Sequence, residues 1–203
     1  MTKHSTELQV DVQREFPRHK LYYVIYLSIF GVVWAIGTGV LAGALPPEPL
    51  TRVIVITWFE TLILVLCKLV LLRRFSVTAG ITIAATISVF TFSFGPPNPF
   101  KPLFLLAGLA FDLGTFLRTE NLKLWNMVIG WVFYIPAIFG VFALVLYLVD
   151  PDLLFGFWAA APLAAGVYAA EGLIVTFVIW PFINPHKAPV WVNRIRARIR
   201  PPQ

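Results

Sequence analysis

Apolar residues along this chain fall into long runs separated by short polar or proline-rich breaks, with none of the alternation of half-buried strands. A hydrocarbon layer about 30 Å thick is crossed by about 20 apolar residues in helical form. Six runs reach or approach that length. The first extends from about Leu21 to Leu45 and stops at Pro46-Pro47; the second, from about Val53 to Leu72, stops at Arg73-Arg74. The third and fourth, Thr78 to Phe94 and Leu103 to Leu117, are short. The linker from Gly95 to Pro102 joins them, and its four prolines in eight positions cannot continue a helix, because each ring removes a backbone donor and restricts the residue before it. A fifth run covers about Asn126 to Val149. The sixth covers about Phe157 to Ile183, long enough either to tilt or to begin with a short interfacial piece at Leu153 to Gly156. The pattern predicts an all-α integral membrane protein: a six-transmembrane-helix bundle over 21–183, an amino tail over 1–20 and a basic carboxyl tail over 184–203.

Composition strengthens this reading. Of the 203 residues, 59% are hydrophobic and only 13% charged, about half the charge of a soluble protein, which excludes a water-solvated core as the main architecture. The distribution of Lys and Arg then predicts orientation. Lys3, Arg14, Arg18 and Lys20 precede the first run, Arg73 and Arg74 follow the second, Arg118 and Lys123 follow the fourth, and Lys187, Arg194, Arg196, Arg198 and Arg200 follow the sixth. The alternate loops hold only Arg52 and Lys101, with Asp150 and Asp152 in the last of them. Such a bias places both termini on the cytoplasmic side of a multi-pass plasma-membrane protein. Lys68, near the end of the second run, is expected to snorkel to the interface. The net charge of +6 is accounted for by topology, so no nucleic-acid partner is expected. The polar start carries both charge signs, unlike a signal peptide, so the first run is expected to act as its own insertion signal. Cys67 is the single cysteine and is expected to pack in the core, with no intrachain disulfide to form.

Candidate chemistry lies in three carboxylates inside the apolar runs: Glu60, Asp112 and Glu171. An ionisable group at membrane depth is costly unless it meets a partner, a cavity or water, which makes each a candidate substrate-binding residue. The competing structural reading has Glu60 and Glu171 protonated between helices and Asp112 at the interface or paired with Arg118. By position in the runs the three sit at different depths. Trp58, Tyr168, Thr57, Thr61 and Thr176 stand nearby and could add stacking and hydrogen bonds to a pocket. Ala35, Gly39 and Gly43, like Ala161, Ala165 and Ala169, recur every four residues and form faces on which another helix, of this chain or a partner subunit, can pack closely. The Arg194 and Arg196 stretch suits either anionic headgroups or a partner. His4, His19 and His186 all lie in the tails, and no phosphate-cradling Gly-rich loop with Lys is present, so no metal, cofactor, ATPase or other enzymatic activity is expected.

Arg73-Arg74-Phe75-Ser76-Val77-Thr78-Ala79-Gly80, Phe94-Gly95-Pro96-Pro97 and Leu106-Ala107-Gly108-Leu109-Ala110-Phe111-Asp112-Leu113-Gly114 together resemble the pattern of substrate-binding S components of energy-coupling factor (ECF) transporters. In that family a Gly-Pro turn precedes a helix of the form Gly-x-x-x-Asp-Leu-x-Gly. The likeness is greatest to the subgroup that binds hydroxymethylpyrimidine-type and related vitamin precursors. It implies six helices, cytoplasmic termini, a vitamin or precursor bound from outside, and a partnership with a membrane coupling subunit and two ATPases. It also implies that Glu60, and with it Glu171, complements a cationic or amine-bearing ligand, and that Asp112 has a structural place near the cytoplasmic end. The small residues of the first run depart from the family by lying toward the outer half. The alternative from the residues themselves is a small accessory subunit of a larger membrane complex.

Overall fold

The computed structural model describes residues 18–45, 49–90, 98–118 and 122–199. The amino tail through residue 17, the Gly95-Pro96-Pro97 part of the linker and the last tail residues, including Arg200, lie outside the described residues. Regular structure among the described residues is entirely helical: α1 (Arg18–Ala44), α2 (Pro49–Leu71), α3 (Ser76–Ser88), α4 (Leu105–Gly114), α5 (Leu124–Val149), α6 (Leu153–Ile179) and α7 (Val190–Ile199). Single 3-10 turns, Lys101–Phe104 and Trp180–Ile183, lead into α4 and out of α6. Four helices, α1, α2, α5 and α6, are long and apolar enough to cross a membrane. α3 and α4 have 13 and 10 residues and are shorter than the runs that predicted them. Of the two alternatives for the sixth run, the structure has one continuous helix, with Leu153 to Gly156 as the first turn of α6.

α2 is the axis of the bundle: 61% of its apolar stretch is buried, against 22% to 33% for the other three long helices. Successive helices run antiparallel, and α2 packs on α1 and α6, α3 on α1 and α4, and α5 on α4 and α6. The core between them is built from Trp34, Leu64, Val65, Leu69, Ile81, Phe104, Phe111, Met127, Trp131 and Tyr134. Outward faces carry Ile25, Ile29, Ile36 and Val40 on α1, Val132 and Phe133 on α5, and Leu163, Ile174 and Val178 on α6. In water such surfaces would drive aggregation, whereas beside lipid tails they cost nothing, as expected of an all-α membrane protein.

Close approach of α4 to its neighbours depends on missing side chains. A Cβ on Gly108 would stand 2.9 Å from the Thr78 Cα, and one on Gly114 would stand 2.9 Å from the Gly130 Cα. The helix ends after Gly114 in two successive residues of positive φ, Phe116 (55°) and Leu117 (51°), and the Leu117 N–H donates back to the Asp112 carbonyl at 3.0 Å. That 6→1 bond is the usual way a helix stops on orphan carbonyls, here made without glycine.

α7, drawn from sequence as a tail, is folded back against the bundle. Val192, Arg196 and Ile199 face inward, while Trp191, Arg194 and Arg198 face outward. Arg196 donates to the Leu69 carbonyl at 2.7 Å and the Ile183 carbonyl at 3.3 Å. Leu69 lies in the last turn of α2, where no intrahelical donor remains for its carbonyl. Arg73 returns the arrangement by donating to the Ile199 carbonyl at 2.7 Å. Arg196 is therefore turned into the chain rather than toward a partner.

Candidate functional site

α2 and α6 run parallel, their ends at Leu69 and Ile183 bridged by Arg196, and this brings Glu60 and Glu171 to neighbouring levels, where separate depths were expected. Thr57 precedes Glu60 by three residues on α2, and Tyr168 precedes Glu171 by three on α6, so on each helix a hydroxyl stands about one helical turn before a carboxylate. The contacts cross between the helices: the Tyr168 hydroxyl donates to the Glu60 carboxylate, and the Thr57 hydroxyl donates to Glu171. All four are buried. The Tyr134 ring of α5 packs against that of Tyr168, with centroids 6.1 Å apart.

Aromatic packing fixes these hydroxyls in place. Trp131 stands edge-on to both Phe111 and Tyr134, with ring centroids 5.3 and 5.4 Å away, and its indole N–H donates to Thr176 at 2.9 Å. Gly172 leaves room for that indole, since a Cβ there would fall 2.7 Å from ring carbons of Trp131. Glu60 and Glu171 thus occupy a seam of α2, α5 and α6 lined by neutral hydroxyls and rings. Neither meets a cation among the described residues.

Asp112 is elsewhere and differently held. Its Oδ1 accepts from the Lys68 ammonium at 2.7 Å, and its Oδ2 accepts from both the backbone N–H and the hydroxyl of Thr78 at 2.8 Å. Lys68 also donates to the carbonyls of Arg73 and Arg74. Both charges are fully buried, so Lys68 does not snorkel and Asp112 pairs with it rather than with Arg118. The Thr78 N–H belongs to the first turn of α3, one of the donors a helix start leaves unsatisfied, and a carboxylate there also suits the positive end of the helix dipole. At the other end of α3, Lys101 donates to the Ser88 carbonyl at 2.7 Å. The arm formed by the 3-10 turn and α4 therefore clamps α3 with a negative charge at its start and a positive one at its end. Gly108, one turn before Asp112, is what lets the two backbones come close enough.

Of the other sequence candidates, Thr61 is buried with its hydroxyl on the Trp58 carbonyl, and Trp58 itself faces outward, away from the seam. Ala35 is buried, but Gly39 is only partly so and Gly43 faces open space. The close contacts of α1 are instead made at Gly31, against Ile83 of α3, and at Gly37, against the Phe59 ring of α2. Ala161 is buried, and Ala165 and Ala169 are partly so. Arg194 is exposed. Cys67 is buried as expected, its thiol against the Ser76 carbonyl at 3.3 Å. Among the described residues no group of three His, Cys, Asp or Glu side chains is placed to hold a metal ion.

The sequence singled out Glu60, Glu171, Tyr168, Thr57 and Thr176 but missed Tyr134 and Trp131. Their positions on α5, with Met127, Gly130 and Ile138, follow a helical inward stripe that could have flagged them. No family model, curated protein or solved structure matches the chain. The class that the fold defines is an all-α membrane protein with at least four helices of spanning length.

Proposed function

We propose that this protein is the membrane-embedded substrate-binding subunit of a small-molecule uptake transporter, of the S-component type, working with a coupling subunit and ATPases. The observation that carries this reading is the Glu60 and Glu171 pair: two carboxylates at membrane depth on facing helices, each met among the described side chains by a hydroxyl and by no cation. Carboxylates are retained in such surroundings chiefly where a ligand, ion or proton completes them. A vitamin or vitamin precursor bearing an amine or cationic ring would supply the missing positive charge, with Tyr134, Tyr168 and Trp131 offering ring faces and hydroxyls. The ligand is bound and passed on unchanged. Asp112, with both oxygens engaged inside the chain, serves this site by holding α3 and α4 in position.

This reading takes α3 and α4 as a third and fourth crossing of reduced length and places both termini on the cytoplasmic side of the plasma membrane. Gly43, Gly140, Gly156 and Gly166 leave open space where a Cβ would stand and so present smooth outward surfaces on which helices of a coupling subunit can lie. The same surfaces would serve the second reading, an accessory subunit of a larger complex.

The experiment is a thermal-shift screen of purified protein against amine-bearing and cationic vitamins and their precursors. A ligand at about 100 times its dissociation constant adds about 2.7 kcal/mol to stability. The expected result is one chemical class that stabilises the wild type and fails on Glu60→Gln or Glu171→Gln. A panel without any response would favour the accessory reading. Cysteine labelling of Arg74→Cys and Arg118→Cys from the same face tests the six-crossing topology.

A further inference from the structure

The end of the bundle that carries α7 has an unusual surface. Exposed there are Arg18 and Lys20 at the start of α1, Arg74 after α2, Arg118 after α4, Lys123 before α5, and Lys187, Arg194 and Arg198 around α7. The described acidic residues Asp150 and Asp152 belong to the opposite end, and Asp112 is neutralised by Lys68. Exposed apolar side chains alternate with the bases: Phe75 beside Arg74, Phe116 near Arg118, Trp125 near Lys123, and Val190 and Trp191 ahead of Arg194. Bases mixed with tryptophan and phenylalanine at the ends of apolar helices match the headgroup layer of a bilayer, where ring and aliphatic parts dip toward the acyl chains and charges meet phosphates.

One part of this surface is organised beyond composition. Arg198 lies over the Tyr22 ring, 5.6 Å from its centroid, and donates to the Tyr26 hydroxyl at 3.0 Å, yet remains exposed. Arg194 is one turn earlier on the same outward face of α7. Arg18 is one turn before Tyr22 on the α1 face that carries Tyr22 and Tyr26. The docking of α7 through Arg196 and Arg73 fixes this relation between the two helices.

We infer that the groove between the first turns of α1 and the outward row of α7, formed by Arg18, Tyr22, Arg194 and Arg198, binds the headgroup phosphate of an anionic phospholipid. The favoured occupant is a lipid rather than an acidic protein because Val190 and Trp191, 73% and 47% exposed, extend the same row as an apolar flank suited to acyl chains. Binding here clamps α7 to α1 and makes the fold sensitive to leaflet charge, whatever the Glu60 and Glu171 seam binds.

The test is native mass spectrometry of the full chain released from nanodiscs of mixed phosphatidylglycerol and phosphatidylcholine. The wild type is expected to retain phosphatidylglycerol preferentially, and Arg194→Gln with Arg198→Gln is expected to reduce that preference by about tenfold. Arg194→Lys with Arg198→Lys keeps the charge and should keep most of the preference, which separates loss of charge from loss of folding. Equal retention of the two lipids by the wild type, or an unchanged preference in the glutamine variant, overturns the inference. So does full displacement by millimolar inorganic phosphate, which would show a free-anion site, or displacement by an acidic peptide with no lipid preference remaining.

Discussion

Lys68 and Asp112, 44 positions apart in the chain, meet with 2.7 Å between ammonium and carboxylate, and neither side chain reaches the surface. The pair joins the end of α2 to the start of α3 and to α4, because Asp112 also holds the Thr78 N–H and hydroxyl. Removing one partner strands the other as an unpaired charge in a fully buried site. Asp112→Ala or Lys68→Ala should therefore destabilise the fold by about 3–5 kcal/mol, whereas Lys68→Met with Asp112→Leu should recover part of the loss. Thermal unfolding in a single detergent measures this, and single variants as stable as wild type would contradict the described role.

Glycines of α4, α1 and α6 make a second, internally controlled prediction. A Cβ at Gly114 collides with backbone of α5, while one at Gly43 or Gly166 meets nothing within 4 Å. Gly114→Ala should cost about 1–3 kcal/mol from forced separation of the helices. Gly43→Ala and Gly166→Ala should be neutral or slightly stabilising, since alanine is the better helix former. If the three variants unfold at one temperature, the tight α4 and α5 contact is not what closes this part of the bundle.

Those contacts also show which parts of the structure were legible in the sequence. Runs of apolar residues identified all four long helices, with ends within a few residues, because membrane length and proline or arginine stops are local properties. Glu60, Glu171 and Tyr168 stood out because carboxylates amid apolar neighbours are conspicuous. Their crossed contacts with Thr57 were not legible, since these depend on the vertical register of α2 against α6. Lys68 illustrates the same limit: close to a helix end it reads as a snorkelling residue, and only the fold shows Asp112 delivered to it across α4. The spacing of Ala35, Gly39 and Gly43 suggested a packing face, but packing partners were decided elsewhere, at Gly31 and Gly37, by where Ile83 and Phe59 arrive.

The Glu60 and Tyr168 contact yields a prediction that separates fold from ligand. Tyr168→Phe removes the hydroxyl that donates to Glu60 and leaves a buried carboxylate without its partner, at a cost of about 1–3 kcal/mol. Glu60→Gln retains an acceptor for Tyr168 and should unfold near the wild-type temperature. In the thermal-shift assay Glu60→Gln should nonetheless lose most of the stabilisation given by a cationic ligand. A variant that folds normally and responds fully to every ligand that the wild type binds would remove Glu60 from the proposed site.

Arg196 supplies the sharpest local test, because one side chain bridges two helix ends. Its guanidinium reaches the Leu69 carbonyl of α2 and the Ile183 carbonyl after α6 simultaneously, using the forked geometry that an ammonium lacks. Arg196→Ala leaves a terminal carbonyl of α2 without this donor and also empties the space beneath α7. α7 has ten residues and is too short to hold its helix without packing, so undocking should be coupled to its unfolding. Hydrogen exchange read by mass spectrometry should then show amides over Val190–Ile199 exchanging far faster in Arg196→Ala, with α5 and α6 unchanged. Arg196→Lys should give an intermediate rate, since one carbonyl but not both can be served. Equal protection of α7 in the wild type and Arg196→Ala would mean that Val192, Ile199 and the Arg73 and Arg198 contacts suffice to dock it, and that Arg196 is incidental to the fold.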